Sequence, residues 1–359
     1  MTDDMIPKQM KALRLTKYNE NYTLCNDVPV PVPGSHEVLI RIEAASFCHT
    51  DYQVYQGSYK TPLPHIGSHE PTGTIVALGP DVSGEWRIGD RVGGYLFRKP
   101  CGTCADCKWY AATHSGEFSA QYCANKTMTG ISGADGGFAQ YMMSPDYALV
   151  KLPDNVPFEQ ASPLMCAGAT IWNAIVEAGL KKGQTIAIVG IGGLGLLGIQ
   201  FAKALGYRVV AVHHKDASPK LAAIRADLTP DLLVDYTRPE AIKEISDFTN
   251  DILLDAAVVC TDDIPANDWI LHRLHPRGTC VVLGLPEKGF TFDAFNLVFR
   301  EIVVKGSLHS SIDRMQEMMK VVSEYNIHSN IDIVPLDEAE ALPERIHNHE
   351  FKGRVVVRM

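Results

Sequence analysis

Gln184-Thr-Ile-Ala-Ile-Val-Gly-Ile-Gly-Gly-Leu-Gly195 is an apolar run that breaks into glycines at Gly190, Gly192, Gly193 and Gly195. As a bare string, G-x-G-x-x-G is a weak signal. Here it follows a candidate buried strand directly and opens a helix that reads from Leu194 to Leu205. In that setting the glycines make the tight turn, admit a pyrophosphate to the backbone and let helix pack on strand. Free N–H groups and the helix dipole at the start of the new helix favour the phosphates of a dinucleotide. Gly190, Gly192, Gly193, Leu194 and Gly195 are therefore the candidate phosphate-binding residues.

The rhythm continues on both sides. Apolar runs at 208–212, 231–234, 252–259 and 279–283 alternate with helical stretches, which predicts a parallel, doubly wound sheet. Upstream, 161–180 carries apolar residues at helical spacing until Gly183 breaks it. Before Pro153 the texture changes: short apolar runs at 38–44, 73–78, 90–93 and 138–141, punctuated by Pro and Gly, predict an all-β, barrel-like region. Beyond Ile302 the pattern gives one helix, 314–325, and a terminal strand, 354–357. Whether this tail forms a third unit or returns to the first is left open by pattern alone.

Roughly 20 residues past the glycines, an NAD-binding protein of this type places an acid for the ribose hydroxyls. The second strand here ends in Val212-His213-His214-Lys215. Without the acid, repulsion against a 2'-phosphate is removed, so His213, His214 and Lys215 favour NADP(H) over NAD(H). Asp216, slightly further on, keeps NAD(H) as the alternative.

The chain has 359 residues, 46% of them hydrophobic and 21% charged, with a formal net charge of -9. That composition excludes a disordered or collagen-like chain and leaves enough length for about two domains. The acidic balance argues against nucleic acid as a partner. No apolar run reaches the roughly 18 residues of a membrane helix. Residues 1–11 show neither an apolar leader core nor an Arg-rich presequence, so a reducing cytoplasm is the expected compartment. Nine cysteines, an odd count, then point to metal ligands or catalytic thiols rather than to a disulfide framework.

Cys101-x2-Cys104-x2-Cys107 puts three thiols within seven residues, an arrangement suited to one soft cation such as zinc, which takes a fourth ligand. Cys123 is the next thiol, with fifteen residues between it and Cys107. An iron-sulfur centre and reactive thiols are the rival readings. A second set is dispersed: Cys48-His49-Thr50-Asp51, Gly67-Ser68-His69-Glu70 and Leu164-Met165-Cys166-Ala-Gly168. Singly, each reads as a buried thiol or a satisfied imidazole.

Taken in order, these motifs and the glycine-rich turn resemble the zinc-dependent medium-chain alcohol dehydrogenases over nearly the whole chain. The resemblance implies an α/β protein with two domains. Residues 1–158 and 300–359 would form a GroES-like β-barrel catalytic domain, and 159–299 the Rossmann dinucleotide-binding domain. It further implies two zinc ions per chain, with Cys48, His69 and Cys166 holding the catalytic one and Cys101, Cys104, Cys107 and Cys123 the structural one. By the same resemblance Glu70 lies behind the catalytic metal and Asp51 orients His69. Thr50 passes the alcohol proton, Thr170 lies against the nicotinamide, and His49 and Arg354 are near the phosphates. A homotetramer is implied, with a dimer second, and a small alcohol or carbonyl compound as substrate. The competing functions are a zinc-free double-bond reductase on the same fold and a non-catalytic dinucleotide-binding protein.

The departures from that pattern are specific. Gln53 stands where many relatives end a proton relay in histidine, and Ser68 and Pro71 replace common glycines. The interval before Cys123 is longer than usual, which implies an insertion between Trp109 and Tyr122, and His114 or Ser115 stands near the usual position of the fourth ligand. Tyr55, beside the first zinc motif, is a candidate for lining the substrate cleft. Cys25, Cys260 and Cys280 read as small core residues.

Overall fold

The computed structural model describes residues 6–117, 119–214, 218–222 and 224–359. The chain divides into two compact units: Met1–Cys166 with Ser311–Met319 and Asn330–Met359, and Ala167–Ser310 with Lys320–Ser329. The boundaries fall later than 158/159 and 299/300. On the first side, Pro163 stops the expected 161–180 helix: a short helix Phe158–Ala161 and a 3-10 turn Ser162–Met165 precede the helix Ala167–Glu177. On the second, the strand Val303–Gly306 still belongs to the parallel sheet.

The first unit is mostly β and is organised around the strand Glu37–Ser46. One edge of that strand pairs with Glu70–Leu78. Its other edge is shared, since Glu37–Arg41 pairs with Tyr141–Pro145, and Ala44–Ser46 with Arg354–Arg358. The C-terminal tail thus returns to the first unit as two strands, Ile331–Pro335 and Arg354–Arg358, of a seven-stranded sheet. Two three-stranded sheets complete the β structure of this unit. The strand expected at 138–141 begins only at Tyr141. Ahead of it Phe138 and Gln140 exchange backbone hydrogen bonds with Leu13 and Lys11, and Ala139 makes an isolated bridge to Ala12.

The second unit is a six-stranded parallel sheet. Its spatial order is Leu232–Asp235, Arg208–His213, Thr185–Val189, Leu254–Val259, Leu274–Val282, Val303–Gly306. In order of appearance along the chain this is 3-2-1-4-5-6, the doubly wound arrangement whose crevice opens beyond the C-terminal ends of the first and fourth strands. The β-branched and alanine-rich strands are buried on both faces, as parallel sheets require: Ala187, Val189, Val210, Val212, Ala257 and Val259 lie in one core, and Ile186, Ile188, Val209, Ala211, Ala256 and Val258 are buried on the opposite face.

Candidate functional site

In the first unit, four potential ligands converge from three segments. Cys48 is extended (φ -108°, ψ 165°) at the end of the central strand and starts the helix His49–Tyr55. One turn in, the fully buried Asp51 accepts the Cys48 backbone N–H through Oδ2 at 2.8 Å. Its Oδ1 accepts the Ser68 N–H at 3.2 Å and lies 3.1 Å from His69 Nδ1. One carboxylate therefore fixes a strand end, a loop and an imidazole. Ser68 holds a left-handed backbone (φ 69°), a conformation that costs a non-glycine residue about 1 kcal/mol or more. The Asp51 bond and a hydroxyl bond from Ser68 to Ser46 O at 2.9 Å hold it there. Cys166 arrives from the 3-10 turn, which is tied down by Ser162 Oγ donating to Glu70 O at 2.6 Å.

Ligand atoms of Cys48, His69, Glu70 and Cys166 all lie within 4.8 Å of one another. A tetrahedral zinc with bonds of about 2.0–2.3 Å sets its ligands a little under about 4 Å apart, so this donor set fits one ion. His69 Nε2 and Glu70 Oε1 are buried without a hydrogen-bond partner, so both are available to a cation. The Cys48 thiol is held well below its usual value by a hydrogen bond from Cys166, with Arg354 and His69 adding to the effect against burial. Cys166 is pushed up by the same bond and by burial, so the pair shares a proton where a metal would take both thiolates. Burial raises Glu70 to about 7 despite the nearby Arg354.

Arg354, expected near the pyrophosphate, ion-pairs with Glu70 Oε2, and Ser46 Oγ donates to the same oxygen. His49 is exposed and Thr50 half-buried on the first helical turn after Cys48. Thr170 lies on the helix Ala167–Glu177 of the second unit. Tyr55 does not face the ligands. It stacks on Tyr52 and lines a surface hollow with Asn19 and Glu344. Tyr59, which sequence reading passed over, is the hydroxyl that feels the cluster. Burial raises its pKa, His69 opposes that, and Cys48 and Cys166 add to it. Its Oη lies 3.5 Å from Gln53 Oε1.

The second cluster is Cys101, Cys104, Cys107 and Cys123, whose ligand atoms also lie within 4.8 Å of one another. Backbone N–H groups point at the sulfurs: Cys104 N–H to Cys101 Sγ and Cys107 N–H to Cys104 Sγ at 3.4 Å, Cys101 N–H to Cys123 Sγ at 3.3 Å. Such donors stabilise thiolates, and those from Thr103 and Asn125 bring Cys101 down to about 5. The fourth member is Cys123, not His114. The helix Ala105–Thr113 carries the chain outward, and His114 stacks on Tyr110 with ring centroids 3.8 Å apart.

At the crevice of the parallel sheet, a cavity of about 310 Å³ is lined by Gly190, Gly192, His213, His214, Lys220 and Asp263, among others. Gly190 has φ 93°, and a Cβ on Gly195 would stand 1.9 Å from Gly190 O, so this turn admits only glycine at both places. Gly193 and Leu194 open the helix Gly193–Ala204. Lys215, with Asp216, lies outside the described residues. Three lining groups carry no sequence signal: Lys220 lies on the short helix Ser218–Leu221, and Tyr236 and Asp263 follow later strands. Tyr236 Oη donates to Asp263 Oδ2 at 2.6 Å, and His214 Nδ1 lies 3.6 Å from the same oxygen.

A family model described as "Alcohol dehydrogenase GroES-like domain" matches residues 34–154, and one described as "Zinc-binding dehydrogenase" matches 193–324. An alcohol dehydrogenase of Geobacillus stearothermophilus is 33% identical over 352 residues, covering 98% of this chain and 100% of its own. The chain belongs to the zinc-dependent medium-chain alcohol dehydrogenase family. Among solved structures, acetophenone reductase from Geotrichum candidum, in complex with NAD, aligns with this dehydrogenase at TM-score 0.79 and 28% identity over 99% and 98% of the two chains. A zinc-binding dehydrogenase of Sinorhizobium meliloti 1021, bound to NADP, aligns at TM-score 0.83 and 25% identity over 98% and 100%. Membership sets the class of reaction: nicotinamide-dependent oxidation of alcohols and reduction of the matching carbonyl compounds. The zinc-free double-bond reductase is disfavoured in this dehydrogenase, because its full donor set is assembled, with His69 and Glu70 buried and Cys48 and Cys166 half-buried.

Proposed function

We propose that this dehydrogenase interconverts a small alcohol and its aldehyde or ketone with NADP(H), using one catalytic and one structural zinc per chain. The observation that carries the reading is the convergent donor set of Cys48, His69 and Cys166, with the buried His69 Nε2 left without a partner. Those three residues would hold the catalytic ion, and Glu70 stands behind them as an occasional fourth donor. When bound, zinc supplies Lewis acidity, making an alcohol proton easier to lose and a carbonyl carbon a better hydride acceptor.

The chain's own groups do the rest. Asp51 keeps the His69 ring in the orientation that presents Nε2 to the metal. Thr50, two positions after Cys48, offers its hydroxyl to the substrate oxygen and receives its proton. Gln53 cannot act as the relay base, so the proton leaves through water or a neighbouring hydroxyl. His49 and Arg354 are assigned to the cofactor phosphates and Thr170 to the nicotinamide, which would exchange a hydride with the substrate carbon. Cys101, Cys104, Cys107 and Cys123 close a four-thiolate site that ties a loop without chemistry.

Lys220 brings a positive charge to the ribose end of the cavity, His213 and His214 add ring nitrogens there, and Lys215 is assigned to the same end by its position in the sequence. The Asp263 carboxylate in that cavity is engaged by Tyr236 and faces His214, which lowers its repulsion of a 2'-phosphate. The cytoplasm fits nine cysteines that are all free, and among the described residues no helix is long and apolar enough to cross a membrane. A homotetramer is the assembly proposed, with a dimer second. Metal analysis, with a panel of alcohols and aldehydes run in parallel with NADPH and NADH, tests the reading. Two zinc per chain and NADPH-linked turnover are expected. Fewer than two zinc removes the two-site proposal, and an NADH preference of about tenfold overturns the cofactor assignment. Cys166→Ala should abolish turnover and spare nucleotide binding.

A further inference from the structure

The first unit holds a second cavity, of about 320 Å³, that neither thiolate cluster lines. Its floor carries Arg98, from the short strand Phe97–Arg98 that pairs with Thr127–Thr129. Arg98 is only 4% exposed, and among the described residues no carboxylate ion-pairs with it. Its guanidinium donates to Met143 O at 2.9 Å and lies 3.9 Å from Met142 Sδ, while its Nε is buried without any partner. Taking a guanidinium out of water without a counter-ion is costly. Burial accordingly pulls Arg98 down to about 10, against the opposing influence of Tyr147 and Glu37.

Two further cations line the same cavity, Arg14 and Lys99, and neither has an ion-pair partner among the described residues. The two carboxylates on its wall are held by other groups. Asp135 accepts the Ile66 N–H at 3.0 Å and lies 3.3 Å from His65 Nδ1. Glu37 accepts the Gly34 N–H at 3.1 Å. Three cations therefore meet two carboxylates, Asp135 being influenced by Arg14 and Arg98 by Glu37, so positive charge is in excess on this lining. The remaining wall is apolar and adaptable, with Met10, Val28, Met142 and Met143, the side chains that mould around an aliphatic body.

We propose that this cavity is a binding site for a small organic anion, a carboxylate with a short aliphatic body, whose oxygens are received by Arg98 with Arg14 and Lys99 at the rim. A guanidinium presents paired N–H donors that match a carboxylate, and the Nε of Arg98 is the donor still unused. The methionine-lined wall takes the hydrocarbon part. The site lies apart from the hydride chemistry, so its occupant acts as a ligand of the catalytic unit and not as a substrate.

The test uses the zinc-loaded full chain and hexanoate as probe, with hexanamide as its neutral counterpart and inorganic phosphate as an anion without a hydrocarbon body, each titrated by calorimetry. Hexanoate should bind, with hexanamide and phosphate each weaker by about tenfold or more. Arg98→Gln should weaken hexanoate by about tenfold or more while turnover with alcohol is kept. Should Arg98→Gln fail to fold, Arg14→Gln on the rim should still weaken hexanoate at least about threefold. Hexanoate binding that is unchanged in the variants would place the anion elsewhere, at the zinc for instance, and overturn the proposal. So would no binding to the native chain, or phosphate binding as tightly as hexanoate.

Discussion

Asp51 Oδ1 lies 3.1 Å from His69 Nδ1 while its Oδ2 receives the Cys48 N–H, so one buried carboxylate sets the position of two of the three donors proposed for the catalytic zinc. Removing its charge while keeping its shape separates positioning from binding. Asp51→Asn keeps one acceptor oxygen, which can take the Ser68 N–H or the Cys48 N–H and not both, so the variant loses one of these two bonds along with the charge. It should lower zinc affinity at the catalytic site by about 10- to 100-fold. Competition with a chromophoric chelator measures this directly. An unchanged affinity would mean that the His69 ring is oriented by packing alone.

The long interval before Cys123 gives the second prediction. Four thiolates with aligned N–H donors fit one structural ion, and His114 is stacked away on Tyr110. Cys123→Ala should therefore bring zinc from two per chain to one and lower the melting temperature. His114→Ala should leave both zinc content and melting temperature as they were. The opposite pattern in metal analysis would make the imidazole the fourth ligand.

The parallel sheet was largely legible in the sequence because its signals are local. Buried strands are continuous apolar runs, and the glycine turn sits between one of them and a helix. What was not legible depends on distant partners. The ion pair of Glu70 with Arg354 joins residues that only the returning tail brings together. The strand read at 138–141 begins three residues later because Phe138 and Gln140 bond to Lys11 and Leu13. A helical pattern across 161–180 concealed the break at Pro163, and that break is what brings Cys166 beside Cys48, His69 and Glu70. Tyr55 was selected for nearness in sequence, whereas it stacks on Tyr52, and Tyr59, beyond the helix, is the hydroxyl whose titration responds to Cys48, His69 and Cys166.

At the nucleotide cavity, Lys220 and Asp263 act in opposite senses on a 2'-phosphate. Lys220 already donates to Ile191 O at 3.2 Å across the mouth, within reach of a phosphate placed there. Lys220→Ala should weaken NADPH about tenfold and NADH by less. Asp263→Asn should tighten NADPH, because it removes a carboxylate while keeping an acceptor for Tyr236. Fluorescence titrations of both reduced cofactors with the two variants decide the matter. Equal effects on NADPH and NADH would show that these groups do not read the 2' position.

The last prediction concerns where the proton goes. With Gln53 in place of an imidazole, the relay needs another hydroxyl or water. Tyr59 is placed for it: its Oη is 3.5 Å from Gln53 Oε1 and close enough to Cys48, His69 and Cys166 to feel their charges. Burial, aided by the two thiols against His69, holds its pKa above 10.0. The hydroxyl therefore stays protonated through neutral pH and serves as a donor and a bridge to water, not as a base. Tyr59→Phe keeps the ring and removes that bridge. It should lower kcat by about tenfold with NADPH affinity unchanged, and the loss should persist from pH 6 to about pH 9, where the native hydroxyl does not titrate. Solvent isotope effects supply an independent readout. If Tyr59 only lines the pocket, KM alone should move and the isotope effect on kcat should match that of the native enzyme.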